Sequence, residues 1–165
     1  SDEVVFIQSG KIDRTKKLLE SLHSFAAIEG SHFRFLIVGH LQDDIANEVQ
    51  AFVRTDARIR FLGWKTPGEL RDLLCAADIY VQPGTQSATM QMSLCCRCAV
   101  ILDDVPSHRP FMNDNGWLVG RDLSLDEAFR LVADSADRLP LMSQNSAGVA
   151  SRLLDYKSLA ARLYR

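Results

Sequence analysis

This sequence lacks most of the features that announce a particular chemistry. Its formal net charge is only −2 over 165 residues, so no global field draws it to nucleic acid. The apolar runs are far too short to cross a bilayer. No G-x-G-x-x-G follows the first apolar run and no G-x-x-x-x-G-K-[ST] occurs anywhere, which removes the dinucleotide and P-loop fingerprints. The four cysteines, Cys75, Cys95, Cys96 and Cys98, have no histidine pair beside them. A zinc site is therefore disfavoured, and the thiols read as small core hydrophobes in a reducing cytoplasm. No Ser-His-Asp or Cys-His arrangement stands out for nucleophilic catalysis. A receiver-like flavodoxin fold would want acids after the first strand, where this chain has Gly10-Lys11. Low-complexity linkers, repeats and a signal peptide are also missing, and the abrupt strand-like start is expected of a domain cut from a longer chain.

What is present is an ordinary core-forming composition, 47% hydrophobic and 24% charged, which predicts one soluble domain over residues 1–165. Val4–Gln8, Phe33–Val38, Ile59–Leu62, Ile79–Val81 and Ala99–Leu102 are short β-branched or apolar runs, expected as buried parallel strands. Between them, Arg14–Ile28 carries Leu18, Leu19, Leu22 and Phe25 at helical spacing, and Ile45–Val53 forms a weaker helix. Thr66-Pro67-Gly68-Glu69 and Ser124-Leu125-Asp126-Glu127 are capping boxes that open helices. From about residue 125 only helices are expected, with Leu131, Leu139, Leu141, Val149, Leu153, Leu154, Leu159 and Leu163 on their apolar side. The alternation implies an α/β fold: a Rossmann-like doubly wound parallel sheet with helices on both faces. In such sheets ligands sit beyond the carboxyl ends of the strands.

Two segments at those ends carry the candidate chemistry. Lys11, Arg14, Lys16 and Lys17 crowd four cations where the first helix is expected to start, against its macrodipole; a bound anion would offset that cost. After the fourth strand, Gly84 admits a close ligand, Ser87 or Thr89 caps the next helix, and Gln86 and Gln91 suit sugar hydroxyls. The bland alternatives are a solvated basic face and a polar turn. Asp103-Asp104 could hold a divalent metal, though no further carboxylates stand at ligand spacing. His108 and Arg109 could touch phosphate or sugar, and Trp64 could line a base pocket.

Taken in order, "FIQSGKIDRTKKLLESL", "FRFLIVG", "RIRFLGW", "ELRDLLCAADIYVQPG" and "CAVILDDVPSHRPFMNDNGWLV" resemble the C-terminal, nucleotide-sugar-binding domain of GT-B glycosyltransferases, particularly the retaining family 4 group. The resemblance runs from about Val4 to Val119. It implies the C-terminal half of a GT-B fold, its acceptor-binding N-terminal domain lying outside this chain. It further implies a donor site of Gly10, Lys11, Lys16, Gly63, Trp64, Gly84, Gln86, Ser87, Thr89 and Gln91. In that site Lys11 and Lys16, or Lys17 if the alignment slips by one, contact the donor diphosphate, and Gly63 and Trp64 lie near the base. The family's two glutamates separated by seven residues correspond to the stretch after the fourth strand. No glutamate stands here; Gln86 and Gln91 would occupy those positions across a shorter loop.

The implied activity is transfer of a sugar from a nucleotide-diphosphate sugar to a growing polysaccharide or glycolipid, retaining and without metal or other cofactor. The implied acceptor is carbohydrate or lipid-linked, and no nucleic acid is involved. The implied location is the cytoplasm, with peripheral association of the full protein at the membrane face. Loss of the glutamates keeps a second reading open, a non-catalytic nucleotide- or sugar-binding regulatory module on the same scaffold. A hexose-nucleotide epimerase finds no acidic or histidine pair to support it.

Overall fold

In the computed structural model, residues 3–84, 87–155, 157 and 160 are described. Six parallel strands, Val4–Ile12 (β1), Phe33–Leu41 (β2), Ile59–Phe61 (β3), Ile79–Gln82 (β4), Ala99–Asp103 (β5) and Gly116–Val119 (β6), form one sheet in the order β3-β2-β1-β4-β5-β6. Their near-continuous apolar character fits burial on both faces. Helices Leu18–Ala26 (α1), Asp43–Thr55 (α2) and Leu125–Asp134 (α5) cover one face; Pro67–Ala76 (α3), Ala88–Cys95 (α4) and the later turns of Leu139–Leu153 (α6) cover the other. The chain builds outward from β1 to β3, then returns to lay β4 on the opposite side of β1. The junction of β1 and β4 is thus the switch point, where the connecting loops diverge and leave a crevice at the carboxyl edge.

The expected strands and helices form, with revised bounds. β1 continues past Gln8, and β2 past Val38, because Gly10 and Gly39 stand in register with φ of 133° and 131°. A Cβ at Gly39 would come within 1.9 Å of the Gly10 carbonyl oxygen, so strand pairing there requires glycine. Both capping boxes are present: Thr66 and Ser124 accept from the Glu69 and Glu127 amides, whose carboxylates return to the cap amides.

The first helix starts later than its periodicity predicts. Asp13 accepts from the Thr15 amide at 2.9 Å and caps a short 3-10 turn over Arg14–Lys16; Lys17 then adopts a left-handed φ of 50°, and α1 begins at Leu18. The cationic cluster therefore does not crowd an α-helix N-terminus: Lys11 lies in β1 and only Lys17 holds the cap position.

The C-terminal helices also depart from expectation. Leu131 and Leu141 are exposed, because α5 turns Ala128, Phe129 and Val132 inward, and α6 turns Leu139, Met142, Ser146, Val149 and Ala150 inward. Leu153 and Leu154 are half-buried, while Leu159 and Leu163 lie outside the described residues. α6 is tied to the sheet by a buried polar link: Asn115 donates to Ser146 Oγ at 3.2 Å, and Ser146 donates to the Cys98 carbonyl at 2.6 Å.

Candidate functional site

The β1 and β4 loops meet because Gly84 has no side chain. A Cβ there would fall 2.5 Å from the Thr15 carbonyl oxygen and 3.1 Å from Lys16 Cα. Gln8, buried at the end of the apolar part of β1, donates to the Lys16 carbonyl at 2.7 Å and fixes the same turn to the sheet. Lys16 is thereby held against the start of the stretch that follows β4. Ser87 caps α4, accepting from the Met90 amide at 3.3 Å, and donates its own proton to Gln82 Oε1 at 2.6 Å. Tyr80, fully buried, donates to the same oxygen at 2.9 Å. Burial pushes the phenol's pKa up, so Tyr80 stays a protonated donor.

Beside this polar seam lies a cavity of about 270 Å³ lined by Gly10 and Lys11 of β1, Trp64 and Lys65 of the β3–α3 loop, and Thr89 and Met92 of α4, among others. Trp64 is 73% exposed, an unusual position for an indole. Gly63, in the left-handed region at φ 67°, accepts from the Gly39 amide at 2.9 Å and turns the chain so that Trp64 reaches the cavity. The structure therefore gathers four of the sequence-predicted residues, Gly10, Lys11, Trp64 and Thr89, around one space. Gly63, Gly84, Ser87 and Lys16 stand behind it as backbone and loop supports. Gln91 is half-buried on α4 outside that lining, and Gln86 lies outside the described residues.

The remaining cations and acids are paired with each other. Arg14 donates to Glu48 at 2.9 Å and lies 3.4 Å from Asp44. Lys17 reaches Asp103 at 3.0 Å, and Arg109 donates to Asp104 at 2.8 Å. Arg109 thereby holds the Asp104 carboxyl below its ordinary pKa. The Asp103-Asp104 pair is thus spread over two cations, and among the described residues no group of three His, Cys, Asp or Glu is close enough to hold a metal ion. His108, a candidate contact to phosphate or sugar, is fully buried; its Nδ1 donates to the Asp103 carbonyl at 2.9 Å and tightens the turn after β5. A second space of about 460 Å³ opens on the α1–α5 side, lined by Lys17, Pro83, Asp103, Asp104 and Ser124 among others. Cys98 points its thiol at the Leu74 carbonyl, 3.2 Å away, and Cys95 is exposed. Burial and the neighbouring Cys75 thiol push Cys96 up to about 12.

Sequence reasoning missed Ser9, Lys65 and Met92 on the cavity wall. Met92 stands three residues after Thr89, a helical spacing that puts both on one face. Ser9 stands two after Ile7, on the same face of a strand that continues further than its apolar run.

A family model described as glycosyl transferases group 1 matches residues 3–134. No curated protein sequence matches. Among solved structures, HepE of Anabaena in complex with UDP is similar at 15% identity and a TM-score of 0.81, over 99% of this chain and 49% of that one. The sucrose-phosphate synthase of Thermosynechococcus elongatus is similar at 19% identity and a TM-score of 0.82, over 98% of this chain and 44% of that one. The C-terminal domain of a group 1 glycosyl transferase (LpcC) from Francisella tularensis matches at 16% identity and a TM-score of 0.77, over 93% of this chain and 87% of that one. The chain thus spans about half the length of the first two, and its fold is that of the C-terminal half of GT-B proteins.

Proposed function

Because this chain belongs to the glycosyl transferases group 1 family, we propose that it is the nucleotide-sugar-binding half of a glycosyltransferase. The observation that carries this reading is the cavity at the switch point, where an exposed indole, a lysine and a glycine-bearing strand end surround one space. Trp64 offers a flat apolar face to a nucleobase. Lys11, with Lys16 on the adjoining turn, supplies positive charge to the diphosphate, and the first amides of α4 add partial charge of the same sign. Negative charge grows on the leaving diphosphate as the glycosidic bond breaks. Cations already fixed in place stabilise that charge without reorganising, and this is the domain's contribution to the rate. The donor is a nucleotide-diphosphate sugar, and the reaction is retaining and proceeds without metal. The acceptor, a growing polysaccharide or a lipid-linked carbohydrate, is bound by the other half of the longer protein, in the cytoplasm at the membrane face. Among the described residues no helix is long and apolar enough to cross a membrane.

The reading is tested by calorimetric titration of the domain with UDP, GDP, ADP and CDP. At least one is expected to bind at millimolar concentration or below, and the Trp64→Ala variant is expected to lose that binding with its melting temperature unchanged. Failure of all four at millimolar concentration overturns it. One observation favours a second reading, a non-catalytic binding module: among the described residues lining the cavity none is a carboxylate. Sugar-nucleotide turnover by the full-length protein separates the two, since the module binds donor and consumes none.

A further inference from the structure

At the amino-terminal edge of the sheet, the edge opposite the Trp64 cavity, a space of about 400 Å³ opens where Val4 and Asp78 lead into β1 and β4, and two thiols line it, those of Cys75 and Cys96. They come from different helices. Cys75 stands in the last turn of α3, and Cys96 closes α4. Cys96 Sγ lies 3.9 Å from the Arg71 carbonyl oxygen, one helical turn before Cys75 on α3. The two thiols are within hydrogen-bonding reach of each other.

The backbone holds Cys96 in that place. The Arg97 amide donates to the Leu94 carbonyl at 3.0 Å and the Cys98 amide to the Ser93 carbonyl at 2.9 Å, a Schellman closure around the left-handed Arg97. The other two thiols face elsewhere. Cys95, next to Cys96 in sequence, is exposed and borders a separate space with Ala147 and Ala150 of α6, while Cys98 is buried and turns its thiol to the Leu74 carbonyl. Within the pair the two sulfurs differ. Cys75 is exposed; Cys96 is half-buried, and burial, with the Cys75 contact second, keeps its thiol protonated. One sulfur is open to an oxidant in solution, and the other stands beside it with a proton to give.

We propose that Cys75 and Cys96 are a redox-active pair, closed by a peroxide into a disulfide between α3 and α4 and reopened by a dithiol. The Cys75 sulfur, as thiolate, attacks one oxygen of hydrogen peroxide; an S–O bond forms, the O–O bond breaks, and the departing hydroxide takes up the proton that the thiol released. The Cys96 sulfur then attacks the sulfenic sulfur of Cys75. An S–S bond replaces the S–O bond, and the second hydroxide leaves as water with the Cys96 proton. The two thiols give up two electrons in all, and hydrogen peroxide is reduced to two molecules of water. The dithiol returns two electrons and two protons to the pair and becomes a disulfide itself. Nucleotide binding plays no part in this chemistry, so it is tested apart from the donor-site reading. The 165-residue chain is treated with equimolar hydrogen peroxide and then with dithiothreitol, and followed by intact mass, non-reducing electrophoresis and mapping of linked peptides. The monomer is expected to lose two hydrogens, to yield a peptide linked through Cys75 and Cys96, and to recover its mass in dithiothreitol. Cys95→Ser is expected to behave as wild type. Cys96→Ser is expected to form no bond within the chain and to leave Cys75 as a sulfenic acid that dimedone labels. A linkage through Cys95, a bond between two molecules, or a monomer that keeps all its hydrogens overturns the proposal.

Discussion

The two faces of the sheet are built from different materials. On the α1–α5 side, Phe6 stacks on Phe129 with centroids 5.0 Å apart and meets Phe25 edge-on at 5.5 Å, with Phe33 and Phe35 completing the cluster. On the α3–α4 side the core includes Tyr80, Cys98 and Met90, and it buries Ser93, Asn115 and Ser146. The first face is bound chiefly by area and ring geometry, with Ser21 and Ser24 of α1 bonded to the Lys17 carbonyl and to Asp126; the second carries more of its order in oriented hydrogen bonds. The polar face is the one that fronts the Trp64 cavity. A dry core can hold a sheet together, but it offers nothing that aims a hydroxyl or a helix end at a ligand.

The largest expected effect comes from breaking the dry side. Phe6→Ala should cost about 3–5 kcal/mol of stability in urea unfolding, while the molecules that remain folded bind nucleoside diphosphate as before. If binding falls with it, the division between the two faces is wrong. The opposite result is expected of the double substitution Lys11→Ala with Lys16→Ala. It should weaken nucleoside diphosphate binding by about 2 kcal/mol or more by calorimetry, since charge-assisted bonds contribute about 1.5–3 kcal/mol each, and should leave the melting temperature within a degree or two of wild type. Unchanged binding would return the cluster to an ordinary solvated surface.

Tyr80→Phe sharpens the comparison, because it touches both functions. Removing the phenol from Gln82 should cost about 1–2 kcal/mol of stability, and it should also weaken binding through the loosened cap of α4; a pure stability loss would detach the seam from the site. The smallest effect is expected at the far end of the same helix. Arg97, exposed and at a left-handed φ of 69°, should gain about 0.5–1 kcal/mol on replacement by glycine. Equal or lower thermal stability would show that its side chain earns that conformation.

Much of this was legible in the residues themselves. The capping boxes at Thr66 and Ser124 are local devices, complete within four residues, and they form where the sequence places them; of the two cap candidates for α4, Ser87 and Thr89, it is Ser87 that caps. The strand–helix alternation likewise carries the fold, since parallel strands buried on both faces must be apolar throughout. Of the donor residues read from the resemblance, Gly10, Lys11, Trp64 and Thr89 share one cavity wall.

What stayed hidden depends on contacts between distant segments. Nothing near residue 17 reports that the helix is interrupted there, because a left-handed lysine is a poor local choice, here accompanied by an ion pair to Asp103. The burial of His108 stayed hidden because its partner, the Asp103 carbonyl, is a backbone group that no side-chain pattern records.

The contact between Gly84 and the Thr15–Lys16 backbone has an entropic consequence. The turn that carries Lys16 and the backbone leaving β4 are two ends of different loops, yet they are pressed together and pinned to the sheet by Gln8. Their relative position is settled during folding, when the chain loses that freedom once for all later encounters. A ligand arriving at the cavity edge finds these two segments already in place and need not spend affinity on ordering them. Replacing Gly84 with alanine would reopen that freedom at the moment of binding, and the loss would be read as a less favourable binding entropy.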